Sequence, residues 1–228
     1  MKIINNFKKN KFIIIKSAVS KKLANFVYNY FLLKKEAVYY MHKNNIVPEN
    51  NINSLIFGTW KDEQVPNMYS HYSDFAMETL LKLLLPVMEK ETKLKLIPTY
   101  SYARIYEKGS NLFRHKDRPS CEISTTLNLG GSTWPIFIDP TGKDNISNRR
   151  NTDKGHECDV KKTAHKGIKI NLKPGDMLVY KGDELEHWRE EFQEKKCVQV
   201  FLHYNEKNGK FENKNLYDGR PMLGIPCK

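Results

Sequence analysis

Residues 113–122 read FRHKDRPSCE and set a histidine and an aspartate two positions apart in a polar, basic stretch. On a strand, residues i and i+2 leave the same face, so His115 and Asp117 reach one metal ion without distorting the backbone. In a turn the same spacing would only be a solvated bend. A third ligand lies about seventy residues on. The segment KPGDMLVYKGDELEHWREEFQEKKCVQVFLHY reads as a Pro-Gly turn, an apolar strand, a polar loop, His187 and a further strand. Two neutral imidazoles and one carboxylate from two strands of a barrel form a facial triad, the arrangement that holds non-haem iron(II) and leaves coordination positions open. A different cluster, His156, Cys158 and His165 in GHECDVKKTAH, fits no common zinc spacing and is expected to be a loop.

The elements that must position these groups follow from periodicity. FIIIKSAVSKKLANFVYNYFLLKK starts strand-like. After Ser17 or Ser20 as N-cap it places Leu23, Phe26, Val27, Tyr30 and Leu33 at helical spacing. A second helix begins near Ser73 with Met77, Leu80, Leu81, Leu84 and Leu85, and Pro86 should kink or locally break it. Residues 43–70, rich in asparagine, form a long surface connection. From Thr99 the period becomes two, with Tyr100, Tyr102, Arg104 and Tyr106 on one side and Ala103 and Ile105 on the other. Strands are expected at 121–130, 134–138, 167–172, 176–181 and 196–204. The fold class is mainly β with flanking helices, a sandwich or barrel. One domain spans 1–228: a helical lead-in with a lid-like connection (1–98), a catalytic core (99–205) and a C-terminal tail (206–228).

Composition narrows the partners. The formal net charge is +12, and ten lysines against two glutamates in the first fifty residues account for most of it. Lysines on packing helices usually solvate a surface, so nucleic acid is a possible partner but not the favoured one. Four cysteines without CxxC spacing, and no secretory leader, suit a reduced, cytoplasmic chain, in a host cytoplasm if it is viral. No apolar run approaches the roughly 20 residues that span a bilayer.

At this point the chain resembles a known family. YEKGSNLFRHKD and GDMLVYKGDELEHW, in that order, are similar to the iron(II)/2-oxoglutarate-dependent oxygenases of the prolyl 4-hydroxylase type. FGTWKDEQVPNMYSHYSDFAMETLL is similar to the helical lead-in of small bacterial and phage oxygenases. The resemblance covers about residues 99–205. It implies a double-stranded β-helix, the cupin-like jelly roll, with His115, Asp117 and His187 as iron ligands, and Fe(II), 2-oxoglutarate, O₂ and, in some members, ascorbate as cofactors. It further implies hydroxylation of a C–H bond with release of succinate and CO₂, and it favours a peptidyl residue such as proline over a small molecule. A demethylase acting on nucleic acid, or a non-catalytic jelly roll that binds a metal or ligand, are the alternatives.

The family also implies a tyrosine and a cation for the distal carboxylate of 2-oxoglutarate. Tyr106, nine residues before His115, fits the first. Lys196, nine after His187, shares parity with Val198, Val200 and Leu202, the apolar and therefore inward face of the last strand. Lys195, Arg189 and Arg104 remain rivals. Arg104, Arg118, Trp134 and Trp188, close to the motifs, are candidate contacts for the prime substrate.

Overall fold

The computed structural model describes residues 6–226. Its strands are β1 (Phe12–Ile15), β2 (Ser70–Tyr72), β3 (Leu96–Glu107), β4 (Leu112–His115), β5 (Ile123–Gly131), β6 (Ile136–Ile138), β7 (Ile146–Thr152), β8 (Gly155–Val160), β9 (Ile168–Ile170), β10 (Met177–Lys181), β11 (His187–Arg189) and β12 (Lys196–Glu206). The helices are α1 (Phe7–Asn10), α2 (Lys21–Lys43), α3 (Asn51–Phe57) and α4 (Phe75–Thr92). One sheet has the order β1-β10-β5-β12-β3-β2, a second β4-β11-β6-β9, and β7-β8 is a separate hairpin. The antiparallel pairing throughout both sheets is that of a jelly roll.

The larger sheet is buried on both faces. On one side Val198, Val200 and Leu202 of β12 and Ala103 and Ile105 of β3 pack with Val27 and Phe31 of α2 and with Leu81 and Leu84 of α4. On the other, Leu178 and Tyr180 of β10 meet Ile136 and Ile138 of β6 and Ile170 of β9, closing the space between the sheets. A third cluster of Tyr106, Leu112, Trp134, Phe192 and Cys197 fills one end. Apolar alternation on β12 therefore marks the helix side, and the barrel side carries Cys197, Gln199, Phe201 and His203.

Local chemistry explains the helix boundaries. Ser20 Oγ accepts from Leu23 N at 3.1 Å and starts α2, a cap of about 1 kcal/mol. Ser17 has a left-handed φ of 49° and caps nothing. The buried face of α2 is Ala24, Val27, Phe31 and Val38, while Phe26 and Leu33, expected inside, are 69% and 67% exposed. At α4 the cap is Asp74, whose Oδ1 accepts from Ala76 N and Met77 N at 2.9 and 3.2 Å. The helix runs through Pro86 without a break, because packing of Leu81, Leu84 and Met88 outweighs one missing N–H. The 43–70 connection holds α3 on its surface. It then turns inward, burying Val65 and Tyr69 and sending Asp62 and Gln64 toward the barrel mouth. Residues 155–160, expected as loop, pair with 146–152 as the β7–β8 hairpin. Cys121 and Cys197 are buried free thiols, Cys158 is half-buried, and Cys227 lies outside the described residues. Among the described residues no helix is long and apolar enough to cross a membrane.

Candidate metal centre

β4 and β11 are antiparallel neighbours with His115 opposite His187, and their ring centroids are 4.2 Å apart. His115 Nδ1 lies 2.7 Å from Phe113 O and His187 Nδ1 lies 3.0 Å from Leu185 O. A carbonyl oxygen only accepts, so both Nδ1 atoms carry the proton and both Nε2 lone pairs face the site, that of His115 shared with the Gln64 amide at 3.3 Å, which a metal would displace.

Asp117 follows the end of β4, where its N–H donates to Gly182 O at 2.8 Å. A side chain at Gly182 would press into Asp117 Oδ2, Cys121 O and Ser124 Oγ, so the loop closes over the carboxylate only because residue 182 is glycine. Ser124 Oγ donates to Asp117 Oδ2 at 2.6 Å, and His203 Nδ1, 3.0 Å from that hydroxyl, donates to it in turn. The other oxygen, Oδ1, is thereby turned toward the histidines, 3.6 Å from His115 Nε2 and 3.4 Å from His187 Nε2. The three ligand atoms lie within 4.8 Å of one another, so side-chain shifts of about 1 Å would bring all three to the roughly 2 Å bond lengths of one ion.

Burial works against the charge on Asp117, but His187 and His115, when protonated in the absence of a metal, outweigh it and hold its carboxyl well below the usual range. Burial and the neighbouring His187 push His115 down, which keeps it neutral as a ligand must be. Behind the ligands, Arg114 and Glu186, the residues just before His115 and His187, pair across the two strands at 2.7 Å. Asp139 also pairs with Arg114, and Asn145 donates to Glu186 Oε1 from its backbone at 2.6 Å. This buried cluster fixes the register that sets the two histidines side by side.

A cavity of about 370 Å³ opens over the three ligands. Tyr100, Tyr102, Arg104 and Tyr106 of β3 and Phe201 and His203 of β12 form much of its wall. Arg104 is buried and already paired: Asp62 Oδ2 accepts from it at 2.6 Å, Gln64 Oε1 at 3.3 Å and Tyr106 Oη at 3.2 Å. Gln64 Nε2 also reaches His115 Nε2 at 3.3 Å. Arg118 stands at the rim over the Tyr100 ring, and Asp218 of the C-terminal tail holds it through both oxygens at 2.9 and 2.8 Å.

The remaining sequence candidates are placed differently from expectation. Lys196 lies outside the cavity, since β12 turns it to the helix side with Val198 and Val200. The apolar face of β12 packs on the helices, so parity with Val198 and Val200 carries Lys196 away from the barrel. Trp134 does not reach the cavity either. It is buried behind Tyr106, with centroids 4.7 Å apart, and donates Nε1–H to Glu190 O at 2.8 Å. Trp188, next to an inward histidine, points outward, stacked on Phe137 at 5.6 Å with the Arg114 guanidinium 4.3 Å from its ring centroid.

Arg189, two residues beyond His187 and 1% exposed, is likewise not on the cavity wall; it lies behind Tyr106 and Tyr180 and borders a shallower surface pocket with Trp188 and Glu190. Its guanidinium donates to Trp134 O and, at 3.1 Å, to Thr126 Oγ1, both neutral, and its Nε has no partner. Tyr106 and Tyr180 are its neighbours, and no carboxylate pairs with it among the described residues. Such an uncompensated cation in a barrel interior is the arrangement an anion would complete. Asp62, Gln64 and His203 had been missed. Polar residues of a long connection carry no periodic signal, and His203 sits among the apolar residues of β12.

Comparison with solved structures agrees with this architecture. A prolyl-4-hydroxylase of Pseudomonas putida matches over 88% of this chain and 95% of its own, at 11% identity and a TM-score of 0.52. HygX of Streptomyces hygroscopicus, solved with nickel and 2-oxoglutarate bound, matches over 88% and 85%, at 12% identity and a TM-score of 0.54. The non-heme alpha ketoglutarate dependent epimerase SnoN from nogalamycin biosynthesis matches over 88% and 80%, at 10% identity and a TM-score of 0.56. No protein-family model and no curated protein matches the sequence. At these identities the likeness defines the fold, the jelly roll of the Fe(II)/2-oxoglutarate oxygenases.

Proposed function

We propose that the chain is an Fe(II)/2-oxoglutarate-dependent dioxygenase that hydroxylates a C–H bond, of a peptidyl residue such as proline. The observation that carries this reading is the convergence of His115 Nε2, His187 Nε2 and Asp117 Oδ1 on one point at the floor of a cavity in this fold. The donor set fits ferrous iron, because two imidazoles and one carboxylate on one side leave the opposite positions for co-substrate and O₂. Iron with 2-oxoglutarate and O₂ supplies the oxidation, with succinate and CO₂ as by-products.

The chain's own groups do the rest. Arg189 offers the uncompensated charge for the distal carboxylate of 2-oxoglutarate, helped by Thr126 and by Tyr106, whose hydroxyl is oriented by Arg104. This assignment replaces Lys196. Gln64 and Asp62 cover the lead-in side and exclude water, and Ser124 holds Asp117 so that only Oδ1 faces the metal. The aromatic walls, Tyr100, Tyr102 and Phe201, suit an apolar side chain such as the proline ring, and the P. putida hydroxylase shares the fold. Anaerobic addition of Fe(II) and 2-oxoglutarate should give a visible charge-transfer band. Proline peptides should then raise succinate output and gain about 16 Da, one oxygen atom. No band at saturating iron and 2-oxoglutarate would reject the co-substrate, and methyl loss from methylated oligonucleotides with no effect of any peptide would reject the substrate class.

A further inference from the structure

Beside the metal ligands a second groove, of about 560 Å³, opens between β4 and the β7–β8 hairpin. It shares Gln64, His115, Lys116 and His156 with the cavity, so the two are continuous around one metal ligand. The rest of its lining is Phe113, Arg114, Arg149, Arg150 and Asn151. Four of these nine residues are arginine or lysine, two are histidine and none is acidic.

The backbone of β7 is shaped for this. Consecutive residues of a regular strand face opposite ways, yet Arg149 and Arg150 both line the groove. The reason is a register shift between Ser147 and Arg150, with Asn148 at a left-handed φ of 46°, a bulge that re-aims a side chain. The hairpin is also fastened. Cys158 Sγ donates to Arg114 O at 3.1 Å, Asn151 Nδ2 donates to Glu63 at 2.9 Å, and Gly155 packs onto the Gln64 carbonyl.

The charges outside the groove decide what it holds. Arg114 is neutralised from behind by Asp139 and Glu186, Lys116 by Asp144 at 2.5 Å, and Arg150 by Asp159 and Glu157 at 2.8 and 3.3 Å. His156 Nε2 has Glu63 at 3.9 Å. Among the described residues Arg149 alone of the groove's arginines and lysine has no carboxylate partner. Flanking acids disfavour a long polyanion, whereas one exposed guanidinium without a carboxylate partner suits a single anion.

We infer that this groove is a second substrate-binding site, which takes one anionic group, a carboxylate or a phosphate, of the molecule whose C–H bond lies at His115, Asp117 and His187. The inference rests on the oxygenase reading, because it takes the three ligands as the reacting end of the cavity. A substrate seated there extends past Gln64 and Lys116, and Arg149 meets its negative end.

The test uses the full-length protein with Ni(II) and 2-oxoglutarate, and three fluorescent proline hexapeptides that differ only in carrying Glu, phosphoserine or Gln three residues from the proline. One or both charged peptides should bind about 10-fold more tightly than the Gln peptide, the value of one charge-assisted contact. That preference should shrink with added NaCl, vanish in Arg149→Ser and survive in Arg149→Lys. The tighter of the two charged peptides identifies the anion. Equal affinity for all three, or a preference that persists in Arg149→Ser, overturns the inference. If no peptide binds, the peptide substrate is wrong and the groove is judged by phenylglyoxal labelling of Arg149, read by mass mapping. Selective protection by inorganic phosphate over chloride at equal ionic strength upholds the anion site, and equal labelling in both salts removes it.

Discussion

Replacing Arg189 with methionine separates what this side chain does for 2-oxoglutarate from what it does for the fold. In the parent its guanidinium is 1% exposed, hydrogen-bonds to Trp134 O and Thr126 Oγ1, lies 5.0 Å from the Trp134 ring centroid, and leaves Nε unpartnered, with no carboxylate beside it among the described residues. A buried, unpaired ion costs several kcal/mol, while each lost neutral hydrogen bond costs about 1 kcal/mol. Without ligands, Arg189→Met is therefore expected to melt at the same temperature as the parent or higher. With 2-oxoglutarate the sign reverses. At 100 times its Kd the co-substrate stabilises the parent by about 2.7 kcal/mol. For a domain of this size that is roughly 5–10 °C in Tm. Loss of charge-assisted hydrogen bonds worth about 1.5–3 kcal/mol weakens binding roughly 10- to 100-fold. At the same concentration the stabilisation then falls to about 1.4 kcal/mol or below. Thermal melts of parent, Arg189→Met and Lys196→Ala with Ni(II), with and without 2-oxoglutarate, read all of this at once. A full co-substrate shift in Arg189→Met with none in Lys196→Ala would refute the reasoning and restore the lysine.

Three further outcomes follow from the site. His187→Ala and Asp117→Ala should each abolish the charge-transfer band and succinate formation while circular dichroism keeps its strand signature; succinate at the parent rate from either variant would remove the triad. Gly182→Ala should cost both stability and metal affinity, because its methyl group meets Asp117 Oδ2 and Ser124 Oγ, and isothermal titration with Co(II) measures the second loss. Burial pushes His203 down to about 4. A depressed folded pKa means that the unfolded chain takes up the proton first, so stability is full above about pH 6.5 and is lost as pH falls toward 4. In metal-free protein that loss should approach roughly 3 kcal/mol, and His203→Gln should flatten that stretch of the pH–stability curve.

The parts of this molecule that a sequence discloses are those with a repeat or a fixed spacing. Period-two alternation placed Tyr100, Tyr102, Arg104 and Tyr106 on one face of β3, and the cavity indeed has all four on its wall. The Ser20 cap and the buried Met77, Leu80, Leu81 and Leu84 of α4 were equally legible. The failures share a cause. β12 is buried on both faces, so its apolar residues could not say which face looks into the barrel, and Lys196 was assigned to the wrong one. Helical spacing on α2 allowed two overlapping stripes, and only packing against β5 chose Ala24 and Phe31 over Phe26 and Leu33. Asp62 and Gln64 reach the site through the path of an irregular segment, which no local rule determines.

The paired strands that carry the two histidines bear on how the molecule assembles. His115 and His187 are 72 residues apart in the chain, and β11 is only three residues long, so local propensity contributes little to their meeting. Closing a loop of that length is slow and entropically costly. A slip of one residue on β11 would turn Trp188 inward and His187 out. The Arg114–Glu186 pair opposes that slip, since any other register strands a buried charge at a cost of about 3–5 kcal/mol. The centre is thus proofread by residues that never touch a metal. Their loss should appear in refolding as a slow, metal-incompetent population, even where equilibrium stability changes little.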